Sequence, residues 1–413
     1  MDWVACVGLD WADQKHAYEI RSREGDRSTG SVSAAPEHLH AWIAQVRRQF
    51  PDGQILFVIE DGRACLLDAL IDYPFLSIIR VNPLASSKYR ESRRLSGSSN
   101  DPLDASLLCD YALKHLDQVR VWKPSDAETR RIRSLSETRR KLVDQRTAFS
   151  HELTATLKGY FPQVVEWLKD VKPAVLWQFV RLWPTLEALR AADDENIGRI
   201  MKAHRLRFIQ RRVQTLRTAL DTAVELTNDT TSIEVGALRA GCLAQILEVV
   251  DQQIRVVEEA LAAAWESHQD RELFDSLPGA GAVFAPRLAA AFSTDRDRFN
   301  SAEEVQCFSG IAPVTKASGK RVLVQARYQF PTFLHQTFHE YAECSLPHSS
   351  WARESYRLQR EGGSGHHAAV RNVAFQWIRI VFRLWKDRQT YDEAIHLAAL
   401  RRRKSPIAAR LAA

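Results

Sequence analysis

The sequence contains no apolar run approaching the roughly 20 residues needed to cross a bilayer, so no membrane-spanning helix is expected. It also lacks a basic leader with a small-residue cleavage site, and Asp2 and Asp10 interrupt the short apolar stretch at its start. Six cysteines (Cys6, Cys65, Cys109, Cys242, Cys307 and Cys344) are scattered without a CxxC pair. Neither a zinc knuckle nor a disulfide framework is therefore expected, and the chain suits a reducing cytosol. No internal repeat is present. A large excess of one charge is missing too: the net charge is +6 and the pI about 9.0, which permits a polyanionic partner without demanding one. A cytoplasmic protein with no membrane role is therefore expected, in which the distribution of charge matters more than its sum.

At 413 residues the chain exceeds one core of ordinary size, and two or three domains are expected. Residues 1–120 read as α/β. Val4 to Leu9, His16 to Ile20, Ile55 to Ile59 and Ser77 to Val81 have strand character, whereas Pro36 to Phe50 and Cys65 to Ile71 have helical spacing. Asn82 to Asn100 is basic and Ser-rich and is expected as a mobile loop, with helix resuming at Asp101.

Residues 121–270 lose the strand signal and become helical and basic. One run carries Arg130, Arg131, Arg133, Arg139, Arg140, Lys141 and Arg146; a second carries Arg199, Lys202, Arg205, Arg207, Arg211, Arg212 and Arg217. Leu243, Leu247, Val250, Ile254, Val257 and Leu261 alternate steps of four and three, a seam that fits a coiled coil or an amphipathic helix on a core. Residues 271–400 read as mostly α with a Gly/Ser-punctuated centre from Ser309 to Lys320. Residues 401–413 read as a basic, disordered tail.

Four acids stand out. Asp10 ends the first apolar strand, Glu60 ends the strand Ile55 to Ile59, and Asp101 and Asp104 open a helix. Two strand ends and a helix start can converge, and three or four carboxylates from different elements are what Mg²⁺ needs in phosphodiester chemistry. Each acid also has a plainer reading. Asp101-Pro-Leu-Asp104 makes a good helix start, with Asp at N-cap and Pro at N1. Asp10 and Glu60 also suit turns. A strand ending Val-Gly-Leu-Asp resembles the phosphate turn of sugar-kinase and actin ATPases, but the later glycine-rich loops of that fold are absent.

Taken together, Gly8-Leu-Asp10-Trp-Ala-Asp-Gln-Lys-His16, Val58-Ile-Glu60 and Asn100-Asp101-Pro-Leu-Asp104-Ala resemble the DEDD motif of the bridge-RNA-guided insertion-sequence transposases in order, spacing and residue type. The resemblance implies an RNase-H-like N-terminal domain of the Holliday-junction-resolvase branch. It makes Asp10, Glu60, Asp101 and Asp104 the catalytic Mg²⁺ ligands.

Further along, Leu277-Pro-Gly-Ala-Gly281 has the look of a helix-hairpin-helix turn, where glycines let backbone approach a phosphate. Ser318 lies in Ala317-Ser-Gly-Lys-Arg321, a glycine-bearing loop whose cations suit a phosphate. A serine in a loop is ordinarily only that. The series PGxG, Arg298-Phe299, Gly310-Ile-Ala-Pro313 and Ser318-Gly-Lys320 is similar to the C-terminal domain of the same family, in which the serine of the SG pair attacks DNA. By that resemblance Ser318 is the nucleophile and Ser309 its competitor. The chain departs from the family after the SG pair, where a GNxxLR segment is replaced by Arg327-Tyr-Gln-Phe-Pro331 and a later Gly362 to His367 turn. His335 and His339, four apart on a helix, are expected as partly buried or surface histidines rather than zinc ligands. Phe375, Ile378, Val381, Phe382 and Trp385 are expected as helix core.

The resemblance thus implies an α/β RNase-H-like domain, a long helical or coiled-coil middle and a mostly α serine transposase domain. The implied activity is Mg²⁺-dependent transposition or site-specific recombination of double-stranded donor and target DNA, guided by a structured RNA. A homodimer assembling to a tetramer would carry it out, acting on the bacterial nucleoid. The alternatives are a junction-resolvase-like nuclease using acids and water alone, a DNA invertase, and a non-catalytic nucleic-acid-binding protein.

Overall fold

The computed structural model describes residues 2–61, 64–93, 101–319 and 321–412. The chain divides into two compact units, Met1–Pro124 and Ser125–Ala413.

The first unit runs β1 (Ala5–Asp10), β2 (Lys15–Ser22), β3 (Arg27–Ser33), α1 (Pro36–Gln49), β4 (Ile55–Glu60), α2 (Ala64–Leu70), β5 (Leu76–Val81), α3 (Pro83–Arg93) and α4 (Asp101–Lys114). The strands form one sheet in the order β3-β2-β1-β4-β5. β1, β2 and β3 pair antiparallel, while β4 lies parallel to both β1 and β5. Strands β1 and β4 are apolar up to their terminal acids because both of their faces are covered. Ala5, Val7, Leu9, Ile55, Phe57 and Ile59 pack against α1 and α2. Cys6, Leu56 and Val58 meet Leu108, Cys109 and Ala112 of α4 on the other face.

Two features of this unit differ from the sequence reading. Strand β3 carries little apolar alternation, since it is a mostly exposed edge reading Arg-Ser-Thr-Gly-Ser-Val-Ser. The expected loop at Asn82–Asn100 is in part the helix α3; residues 94–100 lie outside the described residues. Helix α3 buries none of its residues, so it leaves no amphipathic signature. Polar contacts with α4 hold it instead: the Tyr89 hydroxyl and Arg93 donate to Asp110 at 2.6 and 2.8 Å.

The second unit continues with α5 (Ala127–Lys158), α6 (Pro162–Trp167), α7 (Pro173–Leu182), α8 (Leu186–Ala191), α9 (Asp194–Ala203), α10 (Ile209–Thr222), α11 (Thr230–Glu266), α12 (Arg271–Asp275), α13 (Gly281–Phe292) and α14 (Ala302–Phe308). A hairpin of β6 (Val314–Ser318) and β7 (Arg321–Gln325) follows, then α15 (Thr332–Ser345), α16 (Ser350–Glu361), α17 (His366–Asp387), α18 (Glu393–Arg402) and α19 (Pro406–Ala412). Long helices α5 and α11 run antiparallel, as the ion pairs Arg139–Glu258, Arg146–Asp251 and Arg239–Glu152 show by their opposed order. One hydrophobic core gathers α5, α11 and the short helices between them; another gathers α13 to α17 with the end of α11.

The heptad seam is occupied within the chain. Leu243, Leu247, Ile254 and Leu261 are buried, so these residues do not present a free face to another protomer. The first basic run is likewise largely consumed by the fold: Arg139 and Arg146 tie α5 to α11, and Arg140 reaches Glu340 of α15 at 2.9 Å. The tail after Ser405, expected to be disordered, forms α19. Ile407 and Ala408 are buried, and Arg410 binds Glu354 and Glu361 of α16 at 2.7 and 2.6 Å. Ile378, Val381 and Trp385 are core residues of α17, as expected. Among the described residues no helix is long and apolar enough to cross a membrane.

Candidate active site

Asp10 and Glu60 are brought together by strand register. The parallel pairing runs from Ala5↔Ile55 to Leu9↔Ile59, and one further step sets Asp10 beside Glu60. Neighbouring strands are about 5 Å apart, so the two backbones hold their carboxylates at one level at the carboxyl ends of the strands. Side chains alternate faces along a strand. Cys6, Leu56 and Val58 face α4, and the same parity directs Asp10 and Glu60 to the α4 side.

The approach of α4 follows from Gly8. A Cβ there would lie 2.2 Å from the Ala105 carbonyl oxygen and 3.0 Å from the Cys109 nitrogen, so α4 backbone rests directly on β1. The Cys109 thiol donates to the Cys6 carbonyl at 3.6 Å, which shows that α4 runs opposite to β1. Its first turn, with Asp101 and Asp104, therefore projects past Gly8 toward Asp10. Asp101 opens the helix, but its side chain lies outside the described residues.

Asp104 is 15% exposed and faces Arg90 of α3, with Nε to Oδ1 at 3.0 Å. This arginine was not singled out from the sequence; its only signal is the basic character of the segment. Among the described residues, no three His, Cys, Asp or Glu side chains are grouped closely enough to hold a metal ion. The three described acids are nonetheless all-oxygen donors from two adjacent strand ends and a helix start, the donor chemistry that Mg²⁺ takes. The guanidinium of Arg90 supplies the positive charge beside one of them. In donor type, though not in spacing, the acids suit a hard divalent cation.

Ser318 lies in the other unit, at the end of β6 opposite Arg321, and Gly319 after it has a left-handed φ of +57°. The loop expected there is thus the turn of a two-stranded hairpin. Lys320 lies outside the described residues. Ser318, Lys316 and Arg321 are exposed, and so are Val322, Leu323 and Val324, at 57–65%. The hairpin projects without packing on either face. Its base is fixed: a Cβ on Gly310, whose φ is +74°, would overlap the Phe330 ring at 2.3 Å. Phe330 stacks on His335 at 4.1 Å, and His335 contacts the Ser309 carbonyl at 3.2 Å.

Ser309 is fully buried and donates to the Gln306 carbonyl at 3.3 Å, so it is closed to a substrate where Ser318 is open. His335 and His339 are half-buried, and burial lowers the basicity of both. The turn before α13 needs its glycine: Gly279 has φ +77°, and a Cβ would meet the Cys344 carbonyl at 2.7 Å.

The first unit thus sets two acids at adjacent parallel strand ends, and the second carries an exposed serine among cations. Comparison with known proteins supplies the class. A family model described as a transposase matches residues 7–162, spanning all four acids. A second, described as the transposase IS116/IS110/IS902 family, matches residues 271–357, spanning the serine hairpin. Together they cover more than half of the chain, which is a transposase, a DNA-cleaving and strand-transferring enzyme. It belongs to the IS110/IS116 family of insertion-sequence transposases.

Relatives agree along the length. The mini-circle protein assigned as the IS117 transposase of Streptomyces coelicolor is 24% identical over 95% of this chain and 96% of its own. The 42 kDa protein of insertion element IS900 from Mycobacterium paratuberculosis is 22% identical over 95% of this chain and 98% of its own. The 43.6 kDa protein of IS110 from Streptomyces coelicolor is 24% identical over 71% of this chain and 72% of its own.

Proposed function

We propose that this transposase is a serine recombinase with a separate Mg²⁺-binding acid site, and that a structured RNA directs it to its DNA. One observation carries the acid site: the β1/β4 register that sets Asp10 level with Glu60, beneath the first turn of α4. The strand order β3-β2-β1-β4-β5, with an antiparallel half and a parallel half, supports an RNase-H-like reading of the first unit.

In this reading Asp10, Glu60, Asp101 and Asp104 hold the metal. When bound, Mg²⁺ would neutralise and orient the scissile phosphate. The Ser318 Oγ attacks phosphorus and forms the phosphoserine bond. The sugar oxygen leaves with a proton, and rejoining reverses the step on a new strand. Lys316 and Arg321 flank the serine and balance the charge that builds on the phosphate. The serine is far from the acids in sequence, and the family resemblance suggests that the two halves of a composite site come from different protomers. Helix α11 supports a homodimer through a stripe other than the buried seam: Val235, Leu238, Cys242, Val249 and Val256 are exposed at steps of three, four and seven. Two such dimers would make the tetramer needed to exchange paired strands of donor and target DNA in the bacterial cytoplasm.

Single-turnover cleavage of element-end DNA tests the acid site. Asp10→Asn and Glu60→Gln are each expected to slow cleavage a hundredfold or more, on the order of 3 kcal/mol of transition-state stabilisation. Both should leave the melting temperature within a few degrees of the parent. Equal rates in parent and variants would reduce these acids to turn residues.

Arg90 provides a smaller test of the same site. Its guanidinium competes for Asp104 with any cation that binds there. Arg90→Gln is expected to tighten Mn²⁺ binding about tenfold, as removal of one nearby positive charge should. Arg90→Lys should stay near the parent value. Titration followed by the paramagnetic resonance of free Mn²⁺ reads this directly, with Asp104→Asn as the weakened control.

A further inference from the structure

We infer that the turn between α9 and α10 is a stacking site for an unpaired nucleotide, with Phe208 as the platform and the surrounding cations as phosphate contacts. The inference deepens the RNA-guided reading above, and rests on it only in expecting a single-stranded or looped nucleic acid at this surface.

Helix α9 ends in a Schellman arrangement: the Leu206 amide donates to the Met201 carbonyl at 3.0 Å and the Arg205 amide to Lys202 at 2.9 Å. Arg205 takes the left-handed position with φ 56°, as Arg388 and Lys404 do after other helices, where a cation favours the helix C-terminus. Phe208 is also left-handed, with φ 57° and ψ 44°, but it precedes a helix and its side chain does not cap α10. Among the described residues it is the only aromatic with positive φ. That conformation is costly for a bulky side chain and is met mostly by glycine or asparagine.

Packing does not explain the residue. Leu206 and Ile209 turn inward onto the core, whereas Phe208 is 76% exposed. The fold would be better served by glycine at 208, since little burial would be lost and the strain would go.

The surroundings indicate the ligand. Lys202, Arg205, Arg207 and Arg211 are all exposed, and among the described residues none of them is in an ion pair. Arg217 is different: it is tied to Asp194. Arg212 braces the turn by donating to the Arg207 carbonyl at 3.1 Å. An outward aromatic ring set among unpaired cations is the combination that binds single-stranded nucleic acid, with bases stacked on the ring and phosphates on the cations. In the first basic run, by contrast, Arg133, Arg139, Arg140 and Arg146 are held in ion pairs.

The test uses the full-length protein and fluorescein-labelled oligouridine and oligothymidine of about 12 nucleotides, read by anisotropy, with a duplex as comparison. Phe208→Ala is expected to weaken single-strand binding about tenfold, within the range seen for loss of one stacking contact. It should leave duplex binding unchanged, and Phe208→Trp should restore the affinity. Phe208→Gly should lose binding equally while raising the melting temperature by a few degrees. Arg205→Gln and Arg207→Gln should flatten the dependence of affinity on salt.

A loss larger on RNA than on DNA assigns the guide strand, and an equal loss assigns any unpaired strand; both support the site. Unchanged single-strand affinity in Phe208→Ala, or an equal loss on duplex, overturns it. If the arginine variants alone lose affinity, the RNA-binding surface stands without its aromatic platform. If neither class loses affinity, the RNA-binding reading of this surface falls as well.

Discussion

Replacing Ser318 by alanine is expected to remove the covalent protein–DNA species entirely, a loss of more than about a thousandfold, while DNA and RNA binding persist. The reason is geometric as well as chemical. Ser318 is exposed, its strand pairs through backbone with Arg321, and the turn conformation belongs to Gly319 rather than to the serine. Alanine therefore changes one oxygen and little else, and the melting temperature should not move. Ser309→Ala is the matched contrast. That hydroxyl is buried and bonded to the Gln306 carbonyl, so its loss should cost about 1 kcal/mol of stability and leave adduct formation intact. Denaturing electrophoresis of end-labelled DNA after quenching separates the two. Adducts that persist in Ser318→Ala would rule out this nucleophile and favour a water-using nuclease.

The second large effect is expected at Gly8, which carries no functional group. Its Cβ position is 2.2 Å from a backbone oxygen of α4, an atom that cannot swing aside as a side chain could. Gly8→Val should destabilise the first unit by about 3 kcal/mol or more, because the helix must lift from the sheet. Gly8→Ala should do the same to a smaller degree. In the proposed metal site, lifting α4 would also displace Asp104 relative to Asp10 and Glu60, so metal affinity should fall even under conditions where the protein stays folded. Gly30→Ala gives the contrast: its nearest neighbour is the hydroxyl end of Tyr18, which can shift. Urea unfolding monitored by tryptophan fluorescence, with Mn²⁺ titration of the folded fraction, measures both. A Gly8→Val protein as stable as the parent would mean that α4 does not rest on β1 as described.

Where the candidate acids fall in the fold was legible because it depends on local patterns. An apolar run that stops at an acid marks a buried strand ending at a sheet edge, and both β1 and β4 end that way, at Asp10 and Glu60. Asp101-Pro-Leu-Asp104 marks a helix start by capping preference, and α4 begins there. The exposure of Ser318 followed from its glycine and its charged neighbours. By contrast, α3 and β3 were illegible for one shared reason: neither buries enough apolar surface to impose a period on its sequence. Polar contacts with neighbours shape them, and such contacts leave no spacing to read.

The amino-acid order alone thus determined the acid-terminated strands, the helical middle and the small residues that mark turns, since each arises between neighbours along the chain. Register, direction and partner were decided only by tertiary structure. Nothing local states that β1 and β4 pair five residues deep, that α4 runs back over Gly8, or that Arg90 faces Asp104. Nor is it local that α11 spends its heptad seam on α5 and leaves a different stripe in solvent. Those choices depend on which distant surfaces fill each other's gaps and neutralise each other's charges, a property of pairs of segments rather than of either one.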